Sequence, residues 1–152
     1  MITIYADGSC IHNANVSGNA NGPGGYASQL YLDHNQEPFH TISGGDAYTT
    51  NNRMEIAALL ESLKYLDSHH LHQTIVVYSD SQYVINSINT WLAGWVKKNF
   101  HGIKNPELWK EVHQHILKFP KVSGIWVKGH NGDMKNEAVN DLAQEEAYAR
   151  KT

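Results

Sequence analysis

The stretch Thr74-Ile75-Val76-Val77-Tyr78-Ser79-Asp80 decides the fold, because an uninterrupted run of β-branched and aromatic residues leads directly to an aspartate. Such a run is typical of a central strand that is buried on both faces. Residues 52–66 before it and 81–95 after it repeat apolar side chains at helical spacing, and the second helix is expected to turn Trp91 inward. A buried strand between two amphipathic helices indicates an α/β sheet that helices cover.

The remaining elements extend the sheet in both directions. We predict them from apolar periodicity and from glycine and proline positions as strands at 2–7, 26–32, 39–43 and 122–128 and helices at 106–119 and 134–149. The second and third strands along the chain are expected to pair as an antiparallel hairpin. We expect the first strand to end at the turn formers Gly8 and Ser9, residues 11–25 to form a long loop, and Gly94 to break a helix. These elements form one predicted domain over residues 1–152.

Composition excludes several classes of protein. Of the 152 residues, 41% are hydrophobic and 18% are charged, which is typical of a globular chain rather than of a disordered one. The one cysteine, Cys10, excludes an intrachain disulfide framework and a multi-cysteine zinc site. The sequence has neither an apolar run long enough to span a membrane nor a basic-then-apolar leader, so we expect a cytoplasmic, monomeric protein without a membrane partner.

Charge is unevenly distributed along the chain. The formal net charge is −3, yet segment 94–121 contains six lysines and two acids and so carries +4, while the remainder carries −7. Trp95, Phe100 and Trp109 lie among those lysines. Basic residues interleaved with aromatics suit contact with phosphates and bases. A solvated helix face over buried tryptophans is the competing interpretation.

Three carboxylates stand at or near the ends of predicted elements. Asp7 ends the first strand, Asp80 follows the central strand, and Glu55 lies early in the helix at 52–66. The last helix offers Asn140 or Asp141 as a fourth side chain for the same site. If the two strands are parallel neighbours, Asp7 and Asp80 emerge at one edge of the sheet, where open α/β sheets place their ligands. Oxygen ligands without a His/Cys set favour Mg²⁺ or Mn²⁺ over zinc.

Each of these carboxylates also has a purely structural explanation. Asn52 and Glu55 have the spacing of a capping box, Asp80 or Ser81 can cap the following helix, and Asp7 before a glycine can belong to a turn. The spacing of the residues along the chain leaves both interpretations open.

Four strings, in this order along the chain, carry a resemblance to a known family. They are Tyr5-Ala6-Asp7-Gly8-Ser9-Cys10, Thr49-Thr50-Asn51-Asn52-Arg53-Met54-Glu55, Ser79-Asp80-Ser81-Gln82-Tyr83-Val84 and Trp126-Val127-Lys128-Gly129-His130. Together they resemble type 1 ribonuclease H, the cellular enzymes that cut the RNA strand of RNA–DNA hybrids, over almost the whole chain. The resemblance implies the ribonuclease H-like fold, an α/β fold whose five-stranded mixed sheet has the order 3-2-1-4-5 and is flanked by helices.

The resemblance also implies roles for individual residues. Asp7, Glu55 and Asp80 match the family's metal-binding carboxylates, and His130 matches a loop histidine that assists proton transfer or product release. The matching substrate contacts are Asn13, Asn51, Asn52 and Gln82 toward the RNA strand and its 2′-hydroxyls, Thr50 and Asn105 toward a DNA phosphate, Tyr83, Trp91 and Trp95 in the DNA channel, and Cys10. The lysine-rich segment 97–104 resembles a short form of the family's basic handle. The implied chemistry is hydrolysis with two Mg²⁺ ions, for which Mn²⁺ can substitute, leaving 5′-phosphate and 3′-hydroxyl ends.

One position departs from the family pattern. The resemblance places a fourth metal carboxylate on the last helix, ten residues after the loop histidine, and that count from His130 reaches Asn140. Helix periodicity does not choose between Asn140 and its neighbour Asp141, because both flank a stripe of Val139 and Leu142 at similar angles. An asparagine keeps the shape and one oxygen but loses the charge. We therefore interpret residue 140 as an Asp→Asn change that impairs catalysis. We favour an engineered change that traps a complex over a natural variant with weak activity.

Two other functions stay open at this point. Asn140 is compatible with a hybrid-binding domain that has little or no catalysis. Another nuclease of the same fold, such as a junction resolvase, is the second alternative, and the asparagine and glutamine positions that match 2′-hydroxyl contacts speak against it. The chain lacks a Gly-rich phosphate loop and a nucleophile elbow, which argues against a small-molecule enzyme.

Overall fold

A computed structural model of the chain describes residues 1–11, 21–129 and 132–151. The predictions for Asn13 and His130 therefore lie outside the described residues. In the described part of the chain, five strands form one sheet in the order β3-β2-β1-β4-β5, with helices against it. The predicted fold class and strand order are confirmed, whereas the extent of the domain over 1–152 stays a prediction.

The elements follow the predicted order; the last helix has the predicted ends, and the ends of the others are shifted. They are β1 Ile2–Cys10, β2 Gly22–Leu32, β3 His40–Thr49, α1 Asn51–Ser68, β4 Ile75–Ser79, α2 Gln82–Asn86, a π-helical turn Ser87–Trp91, α3 Leu92–Lys97, α4 Pro106–Ile116, β5 Val122–Trp126 and α5 Met134–Ala149. No helix among the described residues is long and apolar enough to cross a membrane.

Strand directions place the carboxyl ends of β1 and β4 at the same edge of the sheet. β1 pairs antiparallel with β2, and β2 pairs antiparallel with β3, which confirms the predicted hairpin. β1 and β4 are parallel, with Tyr5 opposite Tyr78, and β5 runs parallel to β4. The condition for bringing Asp7 and Asp80 together is therefore met.

The expected turn at Gly8 and Ser9 was wrong. β1 continues through both residues to Cys10, because β2 begins at Gly22 and supplies them with antiparallel partners. The same pairing shortens the predicted loop at 11–25, whose last residues belong to β2. Glycine predicts a turn from local preference alone, and a long-range partner strand overrides that preference.

The expected helix break at Gly94 and the inward position of Trp91 were also wrong. Gly94 lies inside α3, while the irregularity falls one turn earlier, in the π-helical turn at Ser87–Trp91. There the Ser87 hydroxyl donates to the carbonyl oxygen of Tyr83 at 2.6 Å. A π-helical turn contains one more residue than an α-helical turn, so it changes the direction in which the side chains at its end point. Trp91, the last residue of this turn, is 42% exposed.

The core lies on both faces of the sheet. The larger cluster packs α1 against one face and α4 against α1, and it includes the fully buried Ile4, Leu59 and Trp109. The smaller cluster packs α5 against the other face through Val139 and Ala143. The sheet is thus covered on both sides at β1, where every residue from Ile2 to Gly8 is buried. β4 instead alternates buried and half-buried residues, so the expected burial of β4 on both faces was wrong.

An asparagine side chain covers part of the outer edge of β5. Asn89 Nδ2 donates to the carbonyl oxygen of Gly124 at 2.8 Å, and the backbone N–H of Gly124 donates to Asn89 Oδ1 at 2.8 Å. Because β5 is the last strand of the sheet, both Gly124 groups point away from β4. The amide of Asn89 therefore takes the place that a neighbouring strand would occupy.

Candidate active site

Three carboxylates converge at the edge of the sheet where β1 and β4 end. Asp7 lies in β1, Asp80 directly follows β4, and Glu55 lies in α1, and one carboxylate oxygen of each lies within 4.8 Å of those of the other two. Asp7 is 2% exposed and Glu55 is 5% exposed, so the cluster is largely shielded from solvent. Trp126 Nε1 donates to the backbone oxygen of Asp80 at 3.1 Å, which ties the end of β5 to the cluster.

Gly8 allows α1 to approach β1 closely enough to bring Glu55 beside Asp7. A Cβ atom at Gly8 would lie 2.5 Å from the carbonyl carbon of Met54 and 2.9 Å from Cα of Glu55. Any side chain at this position would collide with the backbone of α1. The glycine that local preference assigns to a turn is therefore required by helix–strand packing.

We expect Gly8→Ala to lower the free energy of unfolding by roughly 3 kcal/mol, because the added methyl group must push α1 away from β1. Hybrid hydrolysis should fall as well, since the same shift moves Glu55 away from Asp7. Urea unfolding and a cleavage assay measure the two effects. Gly94→Ala is the matched control, because open space surrounds Gly94 within its helix and alanine should leave stability equal or higher. A Gly8→Ala protein as stable and active as the parent would contradict this account.

Of the structural explanations, those of Asp7 and Glu55 are wrong, whereas the expected cap of the following helix is confirmed at Ser81 rather than at Asp80. The hydroxyl of Thr50, not the side chain of Asn52, caps α1, so Glu55 is not part of a capping box. Ser81 caps α2, which leaves the carboxylate of Asp80 for other partners. Asp7 lies within β1 rather than in a turn.

Burial and the repulsion of neighbouring charges shift Asp7 and Glu55 toward their protonated forms. Burial, and then the charge of Asp80, raise the pKa of Asp7 to about 8. Burial, followed by the charges of Asp7 and Asp80, raises the pKa of Glu55 well above its ordinary value. Among the described residues, Asp7 Oδ2 has no hydrogen-bond partner despite its burial.

These properties fit a divalent cation. The donor set consists of oxygens only, the oxygens are close enough to share an ion, and one buried carboxylate oxygen lacks a partner. Hard cations such as Mg²⁺ prefer these ligands, and a nearby positive charge offsets the repulsion that raises the pKa values.

The burial pattern of α5 separates Asn140 from Asp141. Asn136, Val139, Ala143 and Ala147 are buried and form one stripe along the helix. Asn140 is half-buried and lies in this stripe at helical spacing, whereas its neighbour is exposed, on the outer face with Glu145 and Tyr148. The stripe of Val139 and Leu142 that left the choice open was incomplete, and the observed stripe places Asn140 on the inner face of α5 and Asp141 on the outer face. Which of the two takes part in the site stays a prediction.

A cleft of about 330 Å³ lies next to the start of α1, lined by Thr50, Asn52, Lys104 and Asn105. It brings together the two residues that match a DNA-phosphate pocket, although they are far apart in the chain. Lys104 received no individual role from the sequence, only membership of a lysine-rich segment. It adds a positive charge to the cleft.

A hydrogen-bond network connects this cleft to α2 and α4. Arg53 Nη1 donates to Asn105 Oδ1 at 3.1 Å and to Glu107 Oε1 at 2.6 Å. Asn105 Nδ2 donates to the hydroxyl of Tyr83 at 3.4 Å, and Trp109 Nε1 donates to the same hydroxyl at 2.8 Å. No local pattern in the sequence singles out Arg53, because its partners become neighbours only in the folded chain.

The family model of RNase H matches residues 1–148 of this chain. This chain belongs to the RNase H family. Ribonuclease HI of Helicobacter pylori is 46% identical over 149 residues, which cover 98% of this chain and 94% of the relative. Ribonuclease H of Campylobacter jejuni is 44% identical over 147 residues, which cover 96% of this chain and 90% of the relative. The resemblance to type 1 ribonuclease H is confirmed.

Solved structures of RNase H proteins share the fold. A type 1 RNase H with the type 2 active-site motif has a TM-score of 0.81 and 25% identity, covering 99% of this chain and 73% of that chain. LC11-RNase H1 in complex with an RNA/DNA hybrid has a TM-score of 0.71 and 20% identity, covering 98% of each chain. At that identity the second likeness shows the fold alone.

The remaining residues that the resemblance marks lie on β1, α1, α2, the π-helical turn and α3, and their roles stay predictions. Trp91 and Trp95 have ring centroids 6.1 Å apart, and Trp95 lies 5.5 Å from the buried ring of Trp109. Asn51 and Asn52 are half-buried at the start of α1, Gln82 is exposed at the start of α2, and Cys10 lies at the end of β1 with Sγ 3.4 Å from the carbonyl oxygen of Thr49. Gly129 passes beside the cluster, since a Cβ atom there would lie 3.1 Å from Asp80 Oδ2. Within segment 94–121, Phe100 and Trp109 are buried and Trp95 is half-buried, as the competing interpretation of that segment expects, whereas Trp91, before the segment, is exposed.

Proposed function

We propose that this RNase H hydrolyses the RNA strand of RNA–DNA hybrids at the Asp7–Glu55–Asp80 cluster. The observation that carries the proposal is the convergence of three carboxylates, with one oxygen of each within 4.8 Å of the others. Such a cluster suits phosphoryl-transfer chemistry assisted by divalent cations. The family membership and the named relatives support this substrate class.

The cofactors that we propose are two Mg²⁺ ions per site, for which Mn²⁺ can substitute. Asp7, Glu55 and Asp80 would hold them, with Asn140 as a weaker fourth ligand. When bound, the cations supply a lowered pKa for the attacking water and stabilisation of charge on the leaving 3′-oxygen. The expected products carry 5′-phosphate and 3′-hydroxyl ends.

The protein's own residues position the hybrid. Thr50, Asn105 and Lys104 line a cleft that can hold one phosphate of the DNA strand. The exposed ring of Trp91 offers a surface for the same strand. Asn13, Asn51, Asn52 and Gln82 are proposed to contact the RNA strand, where 2′-hydroxyls distinguish RNA from DNA, and Cys10 is proposed as a further substrate contact. Tyr83 and Trp95 complete the DNA channel, and His130 is proposed to assist proton transfer or product release.

A cleavage assay on matched substrates tests the function. We expect Mg²⁺-dependent cleavage of the RNA strand in a hybrid and no cleavage of duplex DNA of the same sequence. Glu55→Gln, which removes one charge of the cluster, is expected to abolish the cleavage without preventing folding. Cleavage of branched or duplex DNA with no cleavage of hybrids would overturn the proposal in favour of another nuclease of the fold.

Asn140 supports a second candidate, a hybrid-binding domain with little catalysis. An amide at the position where the family has a carboxylate removes one negative charge from the site. The assay separates the two candidates when it is paired with a binding measurement. Hybrid binding without cleavage, even after Asn140→Asp, would favour the binding domain.

Lys104→Met is expected to weaken hybrid binding and to make it less dependent on salt. Each lysine that contacts a phosphate contributes about one unit to the slope of log K against log salt, so the slope should fall by about 1. Fluorescence anisotropy between 50 and 200 mM salt, in EDTA to prevent hydrolysis, measures both quantities. Lys121→Met is the control. Lys121 directly precedes β5, which runs parallel to β4, so it lies at the opposite end of these strands from Asp80. Equal slopes for Lys104→Met and the parent would contradict the assignment.

A further inference from the structure

The side-chain amide of Asn105 is held in one orientation by Arg53. Arg53 Nη1 donates to Asn105 Oδ1 at 3.1 Å. A guanidinium has donors only and does not lose its proton, so its partner must be the amide oxygen and not the amide nitrogen. The oxygen of Asn105 therefore faces Arg53, and its NH₂ group faces the other way.

The NH₂ group of Asn105 retains donor capacity for a ligand in the cleft. Its bond to the hydroxyl of Tyr83 is long, at 3.4 Å, and that hydroxyl already accepts from Trp109 Nε1 at 2.8 Å. An amide nitrogen carries two hydrogens, and this contact uses one of them. Phosphate oxygens only accept hydrogen bonds, so a phosphate in this cleft requires the NH₂ group rather than the carbonyl oxygen.

The side chain of Asn105 does not cap α4, although asparagine is a common N-cap residue. Asn105 is the residue before α4, where an asparagine oxygen normally accepts from a backbone N–H of the first turn. Here no such bond forms, and the residue has a left-handed backbone with φ of 54°. The side chain is thus committed to Arg53 and to the cleft instead of to its own helix.

The charge of Arg53 is itself balanced by Glu107. The pair has an N–O distance of 2.6 Å, and the hydrogen bond from Arg53 holds the pKa of the Glu107 carboxyl below its ordinary value. Arg53 is also absent from the lining of the cleft, where Lys104 provides the positive charge. These contacts assign Arg53 a role that acts through Asn105.

We propose that Arg53 is a positioning residue that sets the hydrogen-bonding polarity of the cleft by keeping the Asn105 NH₂ group directed toward a DNA phosphate. This inference rests on the proposed function, because the phosphate is one of the hybrid's DNA strand. Without Arg53, the amide is able to turn over and present its oxygen to the phosphate, where two acceptors repel each other.

Three variants separate this role from a simple stabilising ion pair. Arg53→Met removes the donors at similar length, Arg53→Lys keeps a donor-only group, and Glu107→Gln removes the ion pair while leaving Arg53 on Asn105. Anisotropy in EDTA measures the dissociation constant for a hybrid. We expect Arg53→Met to raise it about tenfold, in keeping with the loss of one charge-assisted hydrogen bond, and Arg53→Lys to restore most of the affinity. Glu107→Gln should bind as tightly as the parent or more tightly.

The alternative gives a different pattern. If the ion pair only stabilises the fold, Arg53→Met and Glu107→Gln will lose equal unfolding free energy and will bind the hybrid equally, and that result would overturn the inference. A double-mutant cycle adds a second measurement. Because Arg53 acts through Asn105, Arg53→Met should cost no further affinity in a protein that already carries Asn105→Ala, whereas an additive loss would contradict the proposal.

A series of hybrids, each with one neutral methylphosphonate in the DNA strand, distinguishes failure of this inference from failure of the proposed function. The parent is expected to lose affinity at one position of the series, and Arg53→Met to lose that discrimination. If the parent and Arg53→Met lose affinity equally at that one methylphosphonate position, the inference is overturned and the proposed function stands. A parent that does not bind hybrids would overturn the proposed function and, with it, this inference.

Discussion

Replacing Asn140 with Asp is expected to raise the rate of RNA-strand hydrolysis in Mg²⁺ by roughly 10²-fold, the usual effect of restoring one electrostatic contact to a transition state. The change adds a negative charge on the helix face that carries Val139 and Ala143, in a position that is already half-buried. Hybrid affinity should change little, because an amide and a carboxylate have nearly the same shape. Single-turnover cleavage and anisotropy measure the rate and the affinity separately.

Asp141→Asn is the control for this experiment. Asp141 is exposed on the outer face of α5, so its loss should leave hydrolysis unchanged. Robust cleavage by the parent, equal to that of Asn140→Asp, would contradict the interpretation of residue 140 as an Asp→Asn change. If Asp141→Asn abolishes that activity, the family's fourth carboxylate lies at 141.

Asp7→Asn is expected to abolish hydrolysis and, at the same time, to stabilise the metal-free protein near pH 8. Because the pKa of Asp7 is raised from 3.8 to about 8, the folded protein binds a proton that the unfolded chain has released. The free energy of unfolding of the parent therefore falls as the pH rises from about 4 to about 8. Asparagine has no charge to bury, so the variant should be more stable near pH 8, by an amount on the order of 2 kcal/mol.

Urea unfolding in EDTA at pH 5 and pH 8 measures this difference. The advantage of Asp7→Asn should shrink at pH 5, where the parent is largely protonated at this site, and added Mg²⁺ should stabilise the parent more than the variant. Glu145→Gln, on the exposed outer face of α5, controls for the loss of one negative charge. If the parent and Asp7→Asn lose the same unfolding free energy as the pH rises, the pH dependence does not come from Asp7. That result would contradict a pKa of Asp7 raised by burial and repulsion.

Much of the fold follows from local patterns in the sequence. The apolar run that ends at Ser79 predicts a central strand, and the periodicity of 134–149 predicts α5 with the observed ends. Patterns of this kind succeed where burial has a fixed period along one element. They fail at Gly8, whose strand conformation depends on pairing with β2, and at Trp91, whose exposure depends on a π-helical turn that periodicity does not reveal.

Part of the candidate site was predictable from the sequence, and part depends on contacts between distant segments. Asp7 and Asp80 are predictable because two parallel strands end at one sheet edge, which is a rule of topology. The contribution of Glu55 depends on the close approach at Gly8, and the roles of Arg53 and Lys104 depend on a contact between the starts of α1 and α4. The local spacing of residues contains no information about that contact.

The amide of Asn89 has a consequence for how molecules of this protein meet one another. An open sheet edge is a template on which a strand from another molecule can add, and growth of this kind leads to fibrous aggregates. By bonding to both outward groups of Gly124, Asn89 leaves the middle of the β5 edge without a donor or acceptor for an incoming strand. We therefore expect this one side chain of the π-helical turn to hinder the addition of a strand at the β5 edge, next to the exposed Ile125 and Trp126.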